Sequence, residues 1–300
     1  MTPSETSSEA LPLISVVVPT YHRNDLLMRC LDRLAPGVQT LPAEQYEVLV
    51  CDDGRQTTAR EMVAERYPFA RWFQGPGKGP GPNRNVGARE ARGEFVAFVD
   101  DDCVPSPNWL AAFAAVVKPE VDVYEGRTTC ELGIRNALED SPCNEVGGAL
   151  WTCNLMIRRS AFWTLGGFDE NFRIQEDLDL RLRIVQTGVS CTFVPAAVVD
   201  HPPRPIRWGR QNHNFDRDLV AVWFKSGQTE SIRRRLLRFV FRERLARLRQ
   251  FPLSAATVKA LISMGEELWN ITRHVDAWER EFRERYGGRG AAYPFPYPHF

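Results

Sequence analysis

Residues 94–99 are mostly apolar and run directly into three consecutive acids, Asp100, Asp101 and Asp102. Such a run predicts a buried strand that ends at a charged site. Three carboxylates this close repel one another and lose hydration, so a hard cation such as Mg²⁺ or Mn²⁺ would stabilise them. The alternative is a solvated acidic turn before a helix, because Ser106-Pro107 supplies an N-cap and an N1 proline. The triple acid alone leaves both interpretations open.

Strands and helices alternate regularly before this stretch. Residues 13–19 and 46–51 are short β-branched runs that predict buried strands, and a helical pattern follows each of them. The second strand ends in Asp52-Asp53-Gly54. This alternation predicts an α/β fold with βαβ units, whose ligands bind beyond the carboxyl ends of the strands.

Residues 75–82 form a loop in which seven of eight residues are Gly or Pro. Its backbone amides can approach a phosphate closely. Because it lacks a Walker or Gly-x-Gly-x-x-Gly spacing, an ordinary connector is the favoured interpretation. A helix is predicted over 83–92, leading into the strand before the acids, so the loop and the acids are expected at the same edge of the sheet.

Two later candidates have ordinary structural explanations. Glu176 and Asp177 lie in the first turn of an amphipathic helix predicted to end at Gly188, where acids commonly offset the helix macrodipole. His201 follows a strand-like segment at 197–200, and a single histidine there is more often structural than a ligand. The pattern is helical from Trp208 onward.

The N-terminal and cysteine patterns predict a cytoplasmic protein. Residues 1–10 are polar and acidic without an apolar h-region. No segment approaches the roughly 18 apolar residues of a membrane span. The seven cysteines are scattered singly with no Cys-x-x-Cys pair, which predicts free thiols in a reducing compartment.

The net charge of zero conceals an asymmetry. Residues 203–250 carry 13 basic residues against four acids, so the segment has a charge of +9 and the remainder −9. Residues 232–249 place apolar side chains at helical spacing with arginines largely on the other face, typical of a helix that lies on the inner face of an anionic membrane. The favoured alternative is a helix packed on the rest of the protein, its arginines paired with the excess acids.

Six segments together resemble the GT-A glycosyltransferases of family 2. They occur in the family's order over roughly residues 13–205, and an ordered set of six is far more specific than any one motif. The segments are Val16-Val17-Val18-Pro19-Thr20-Tyr21, Val48-Leu49-Val50-Cys51-Asp52-Asp53-Gly54, Arg84-Asn85-Val86-Gly87, Phe98-Val99-Asp100-Asp101-Asp102, Gly166-Gly167-Phe168-Asp169 and Glu176-Asp177.

The resemblance implies a Rossmann-like mixed sheet flanked by helices, with residues 13–205 as the catalytic domain. Outside it we expect a flexible tail over 1–12, a helical extension over 206–290 and a Pro/aromatic tail over 291–300. The resemblance also implies a Mn²⁺ or Mg²⁺ cofactor, held by an Asp-x-Asp motif at Asp100 and Asp102. His201 resembles a late histidine that completes the metal or diphosphate site in many relatives.

The family's donor site implies a nucleotide-sugar partner, with UDP-sugars favoured. Asp53 takes the position that binds the base of a uridine-type nucleotide, and Arg84 lies where a basic side chain meets the diphosphate. The other residues matched to the donor site are Pro19, Thr20, Tyr21, Arg23, Asn85, Asp100 and Asp101.

Asp177 takes the family's catalytic-base position, with Glu176 beside it. A cation that stabilises the departing diphosphate removes the need for a protein acid, and one carboxylate then accepts the proton of the acceptor hydroxyl. One base without a protein nucleophile implies single displacement with inversion. The acceptor is expected to be a glycan, a lipid-linked molecule or a small molecule in polysaccharide or glycoconjugate synthesis, and no nucleic-acid partner is expected.

Two other functions stay open. A sugar nucleotidyltransferase shares a similar sheet and metal chemistry, but its Gly-rich loop would stand where this chain has Thr20-Tyr21-His22-Arg23. A catalytically silent GT-A binding module would keep the fold, although Asp100, Asp102 and Asp177 are intact. The chain also departs from the family by placing Arg55 after Asp52-Asp53-Gly54, where a serine is usual, which leaves the base and ribose preference open.

Overall fold

The computed structural model describes residues 11–206 and 209–286 of the 300-residue chain. The predicted tail residues 1–10, the predicted helix start at Trp208 and the predicted tail 291–300 lie outside the described residues. The strands are β1 (Ile14–Thr20), β2 (Tyr46–Asp52), β3 (Ala70–Gln74), β4 (Phe95–Phe98), β5 (Val104–Pro105), β6 (Val123–Thr129), β7 (Glu139–Asp140), β8 (Leu155–Arg158), β9 (Cys191–Asp200) and β10 (Arg204–Pro205). The α-helices are α1 (Asn24–Leu34), α2 (Arg60–Arg66), α3 (Pro80–Glu90), α4 (Trp109–Ala114), α5 (Arg159–Thr164), α6 (Glu176–Thr187), α7 (His213–Lys225), α8 (Ile232–Leu248) and α9 (Ala255–Tyr286).

The chain divides into two compact units that alternate along the sequence. The described residues of the first unit belong to Met1–Thr129, Asn144–Gly167 and Val189–Asp200. Those of the second belong to Cys130–Cys143, Phe168–Gly188 and His201–Phe300. The predicted domain limits at residues 12, 205 and 290 stay predictions.

The first unit contains an eight-stranded mixed sheet in the order β3-β2-β1-β4-β8-β6-β9-β5. The first four strands of that order are parallel to one another, whereas β8 is antiparallel to both β4 and β6. This sheet, its flanking helices and the helical C-terminal region confirm the predicted α/β fold class.

Alternation along β1 explains why helices cover both faces of the sheet. Ile14, Val16 and Val18 belong to a buried cluster that includes residues of α1 and α4, because successive strand residues point to opposite faces. Val17 faces α3, where a Cβ on Gly87 would lie 2.5 Å from the Val17 Cγ1 atom. Glycine at 87 therefore allows α3 to approach the sheet closely.

The start of α3 was predicted wrongly. The expected start was Asn83, but the helix begins at Pro80 and takes in Gly81 and Pro82. Proline fits the first turn of a helix because its missing N–H has no intrahelical acceptor there. Gly79 precedes the helix with a φ of 109°, a conformation that favours glycine. Part of the predicted connector is thus the N-terminus of a helix.

The helices α7, α8 and α9 form the core of the second unit. Buried residues of α8, including Ile232, Leu236 and Val240, pack in a cluster with residues of α7 and α9. The bonds from Arg233 to Asp276 and from Arg244 to Glu267 show that α8 and α9 run antiparallel. Within residues 11–206 and 209–286, every helix is too short or too polar to cross a membrane.

Candidate active site

Three loops meet at the carboxyl edge of the parallel strands in the first unit. Because β1 lies between β2 and β4, the residues that follow these three strands are neighbours. The edge receives Thr20 and Arg23 from the end of β1, Asp53 after β2, and the acids after β4.

Asp101 is fully buried at this edge and bound by groups that follow β1. Its carboxylate accepts a hydrogen bond of 2.7 Å from the Thr20 hydroxyl and lies 2.5 Å from the Arg23 guanidinium. Burial raises the pKa of Asp101 to about 7, against the opposing effect of Arg23. Burial lowers the pKa of Arg23, but the charges of Asp101, Asp102 and Asp100 leave it raised. Asp101, the middle one of the three acids, therefore fixes the loop that follows β1.

The two outer acids each bind an arginine. Asp100 lies 2.5 Å from the Nη2 atom of Arg84, a nearly buried residue of α3. Asp102 accepts a 2.9 Å hydrogen bond from the Nη1 atom of Arg23. Carboxylate oxygens are hard donors, which fit Mg²⁺ or Mn²⁺. With Asp101 committed to the fold, Asp100 and Asp102 are the acids suited to hold a cation.

The glycine- and proline-rich loop is held by Asp53, a contact that the sequence analysis missed. The two Asp53 oxygens accept 2.9 Å hydrogen bonds from the Gly77 and Gly79 amides. Arg55, the departure from the family pattern, donates to the Gly75 carbonyl at 2.9 Å. The sequence signal for these contacts was the pair of charged residues after β2, Asp53 and Arg55, since polar side chains commonly bind nearby loop backbone. The loop is therefore fastened to the site edge.

The remaining predicted donor-site residues differ in exposure. Pro19 is buried in β1 and pairs in register with Cys51. Tyr21 is 60% exposed, and its ring contacts His22, whose φ is 53°. That φ is unusual for a non-glycine residue, and such residues cluster at functional sites. Asn85 is buried in α3 and packs against Gly167.

In the second unit, the predicted base lies at the start of α6. Gln175, just before the helix, has a φ of 69°, a second non-glycine residue in the left-handed region beside a predicted site residue. Glu176 is buried and Asp177 is half-buried. An Asp177 oxygen accepts a 2.7 Å hydrogen bond from the Leu178 amide.

An ion-pair network supports the start of α6, and the sequence analysis missed it. The Lys225 ammonium lies 2.8 Å from Asp169 and 2.7 Å from Asp179. Burial raises the pKa of Asp169, but its hydrogen bond and ion pair with Lys225 leave it lowered. Asp218 accepts hydrogen bonds from the amides of Arg173 and Ile174. These long-range contacts hold the turn before Glu176.

His201 is buried directly after β9, whose last residue, Asp200, pairs with Val104. Its carbonyl accepts a 2.6 Å hydrogen bond from the Ser141 hydroxyl, and its Nδ1 atom lies 3.0 Å from the Pro202 carbonyl. A carbonyl can only accept, so this contact assigns a proton to Nδ1 and leaves Nε2 out of that bond. Nε2 is then the nitrogen chemically suited to a metal.

Comparisons with known proteins point to one enzyme family. Residues 15–166 match the family described as Glycosyl transferase family 2. Glycosyltransferase AglE of Haloferax volcanii is 28% identical over 233 residues, which cover 72% of this chain and 76% of AglE. Validoxylamine A glucosyltransferase of Streptomyces hygroscopicus subsp. limoneus is 30% identical over 236 residues, which cover 63% of this chain. The match spans only 51% of that enzyme's length.

Two solved structures share the fold. S. aureus TarS 1-349 in complex with UDP-GlcNAc has a TM-score of 0.55 and 22% identity, covering 71% of this chain and 66% of TarS 1-349. The mannosyltransferase PcManGT of Pyrobaculum calidifontis, in complex with GDP-Man and Mn²⁺, has a TM-score of 0.52 and 18% identity. That match covers 94% of this chain and 77% of PcManGT. At these identities the likeness shows the fold alone.

Proposed function

Because the chain belongs to glycosyl transferase family 2 and is a glycosyltransferase, we propose that it moves a sugar from a nucleotide-diphosphate donor to an acceptor hydroxyl. UDP-sugars are the favoured donors, a divalent metal is required, and the anomeric configuration inverts. The product belongs to polysaccharide or glycoconjugate synthesis, and the acceptor is a glycan, a lipid-linked molecule or a small molecule.

One observation carries the proposal: the edge after β1, β2 and β4 gathers acids and arginines suited to a metal-bound diphosphate. Arg84 and Arg23 already bind Asp100 and Asp102 at this edge. A diphosphate brings negative oxygens, which planar guanidinium groups bind well. The same arginines that balance the acids therefore provide its binding groups.

The metal ligands of the proposal in the first unit are Asp100 and Asp102. Carboxylate oxygens are hard ligands that suit both Mg²⁺ and Mn²⁺. When bound, the cation supplies Lewis-acid stabilisation of the departing diphosphate. The contribution of the protein is to hold Asp101 in place through Thr20 and Arg23, which fixes its two neighbours.

The nucleotide is proposed to bind beside Asp53, Thr20 and Tyr21. Both Asp53 oxygens already accept loop amides, but each carboxylate oxygen has a second lone pair for the N–H of a base. Asp53 then holds the loop and contacts uracil at once. The exposed Tyr21 ring offers a face for stacking.

Asp177 is the proposed base, and Glu176 positions it or contacts the acceptor. The hydrogen bond from the Leu178 amide orients the Asp177 carboxylate, which would accept the hydroxyl proton. A single base without a protein nucleophile supports inversion at the sugar carbon.

A donor screen tests the proposal. Thermal unfolding is measured with each common nucleotide sugar, with Mn²⁺ and with EDTA, because a ligand of the folded state raises the unfolding temperature. We expect UDP-sugars with Mn²⁺ to give the largest rise, and NMR of the transferred product to show the inverted anomer. A donor that binds without turnover on a broad acceptor panel would favour the silent binding module. Retention of configuration would overturn the single-displacement mechanism.

A further inference from the structure

We propose that the outer face of α8 and its C-terminal cap, defined by Arg234, Arg238, Arg242 and Arg249, docks the protein on an anionic lipid bilayer. The proposal concerns a surface of the second unit and is independent of the donor and metal assignments. The ligand of this surface is phospholipid, and binding of a soluble polyanion instead is the competing outcome of the test.

The four arginines form one row along an exposed helix face. Arg234, Arg238 and Arg242 follow one another at intervals of four residues, and Arg249 lies seven residues further on. This spacing keeps the side chains on one side of the helix, over about 22 Å. All four are exposed. Like charges at this spacing destabilise a helix by a few tenths of a kcal/mol per pair, so the row has no stabilising role within α8 itself.

Other arginines of the same helix are bound to acids. Arg233 pairs with Asp276, Arg244 with Glu267 and Arg247 with Asp140. Among residues 11–206 and 209–286, the row itself has no such acid partner. Seven arginines and one glutamate stand in the 17 residues of α8, and the row arginines face solvent. Charge complementarity therefore points to an anionic partner outside the protein.

Exposed apolar side chains on the α8–α9 hairpin favour a bilayer over a soluble polyanion. Phe241, between the row's arginines, is 46% exposed. On α9, Val258, Leu261, Ile262 and Trp269 are 46–61% exposed at intervals of three, one and seven residues, which keeps them on one face. Arginines bind lipid phosphates, whereas apolar and tryptophan side chains enter the region between headgroups and acyl chains. A soluble polyanion uses only the arginines.

Helix α8 docks as a charged surface, not by inserting its own apolar face. That face is occupied, because Ile232, Leu236, Val240 and Leu248 are buried against other parts of the second unit. The membrane therefore receives the arginines and Phe241 while the fold stays intact. This differs from an amphipathic helix whose apolar side is free to insert.

Vesicle flotation of the full chain tests the proposal. Vesicles contain phosphatidylcholine alone or with an equal part of phosphatidylglycerol, at about 0.01 M and about 1 M salt. We expect binding to the anionic vesicles only, weakened at high salt. Replacing all four row arginines by Gln should lower the partition coefficient by roughly 100-fold or more, since each basic residue near an anionic surface contributes about five-fold.

Two variants with four substitutions serve as controls. Arginine-to-lysine changes along the row keep the charge and should keep most of the binding. A second variant removes four exposed arginines of the first unit and should bind anionic vesicles as the unaltered chain does. Its positions are Arg29, Arg60, Arg66 and Arg89. Circular dichroism and thermal unfolding establish that each variant is folded.

Three results would overturn the proposal. The first is no binding of the unaltered chain to anionic vesicles at low salt. The second is an equal loss of vesicle binding in the row variant and the first-unit variant, which would make the net charge of the protein the only cause of binding. The third is binding to heparin or polyphosphate without binding to vesicles, which would assign the row to a soluble polyanion.

Discussion

Arginine has different partners at the sheet edge of the first unit and on α8 of the second. At the edge, Arg84 and Arg23 bind Asp100, Asp101 and Asp102 at 2.5–2.9 Å. On α8, Arg233, Arg244 and Arg247 bind acids, whereas the row at 234, 238, 242 and 249 faces solvent. The edge charges are part of the fold, and the row charges are available to another molecule.

The difference determines what each substitution should do. Removing one partner of a buried ion pair leaves an uncompensated charge and is costly. Removing an exposed charge changes stability little. Substituting a buried, paired charge should therefore change the free energy of unfolding. Substituting an exposed charge should change only the binding of a partner.

Arg84→Ala should have the largest effect on stability. It leaves the Asp100 carboxylate beside two other acids, at a cost of about 3 kcal/mol in the free energy of unfolding. Urea denaturation measures the loss, with Arg234→Ala as the matched control on α8, expected within about 0.5 kcal/mol of the unaltered chain. Equal losses in the two variants would break the comparison.

Asp177→Asn should lower turnover by roughly 100-fold or more, equivalent to about 2.7 kcal/mol. Donor affinity should stay unchanged, because the proposed base acts on the acceptor hydroxyl and not on the donor. Asp179→Asn is the contrasting variant, since Asp179 is bonded to Lys225 and Arg183 and its loss should lower the unfolding temperature. Near-normal turnover in Asp177→Asn would transfer the role to Glu176 or Asp169.

Asp101 should make the folded state less stable as pH rises. Its folded pKa of about 7 exceeds the unfolded value of about 3.9, so the folded chain binds more protons between these values. The contribution is complete below pH 4 and declines through pH 7, at up to about 1.4 kcal/mol per pH unit.

Asp101→Asn should reduce this slope in urea denaturation measured from pH 5 to pH 8. Burial, followed by the charge of Glu267, also raises the pKa of Asp216 in the second unit to about 8, so part of the slope remains in that variant. Combining it with Asp216→Asn should flatten the profile further. An unchanged slope in the double variant would show that neither acid titrates in this range.

The smallest effect is expected from the row itself. Arg238→Gln removes two like-charge repulsions, with Arg234 and Arg242 four residues away on either side, and should stabilise the helix by about 0.4–1 kcal/mol. Thermal unfolding at low salt and at high salt measures the change, which should shrink when salt screens the repulsion. A clear destabilisation would mean that Arg238 has a partner within the fold.

Local patterns predicted the sheet and the acids at its edge. The apolar runs of β1, β2 and β4 are short and bounded by polar residues, and parallel strands bring their carboxyl ends together. The binding of Asp53 to the loop amides and the start of α3 at Pro80 were not predicted. They depend on loop geometry and on the close approach that Gly87 allows.

Helical spacing also predicted the buried residues of α8. It did not predict which of its arginines pair with acids and which face solvent. Arg233 and Arg244 find Asp276 and Glu267 only because α8 and α9 are antiparallel in one register. The acids lie 43 and 23 residues away along the chain. Contacts at such separations depend on tertiary packing, which a local sequence pattern does not contain.

Calorimetric titration of UDP into the unaltered chain, with Mn²⁺ and with EDTA, tests most directly the claim that the sheet edge binds a metal-bound diphosphate. We predict that binding requires the metal and that Asp102→Ala weakens it by more than about ten-fold, or 1.4 kcal/mol. Urea denaturation of Asp102→Ala confirms that the variant is folded. Equal UDP affinity with and without metal in the unaltered chain would contradict the account.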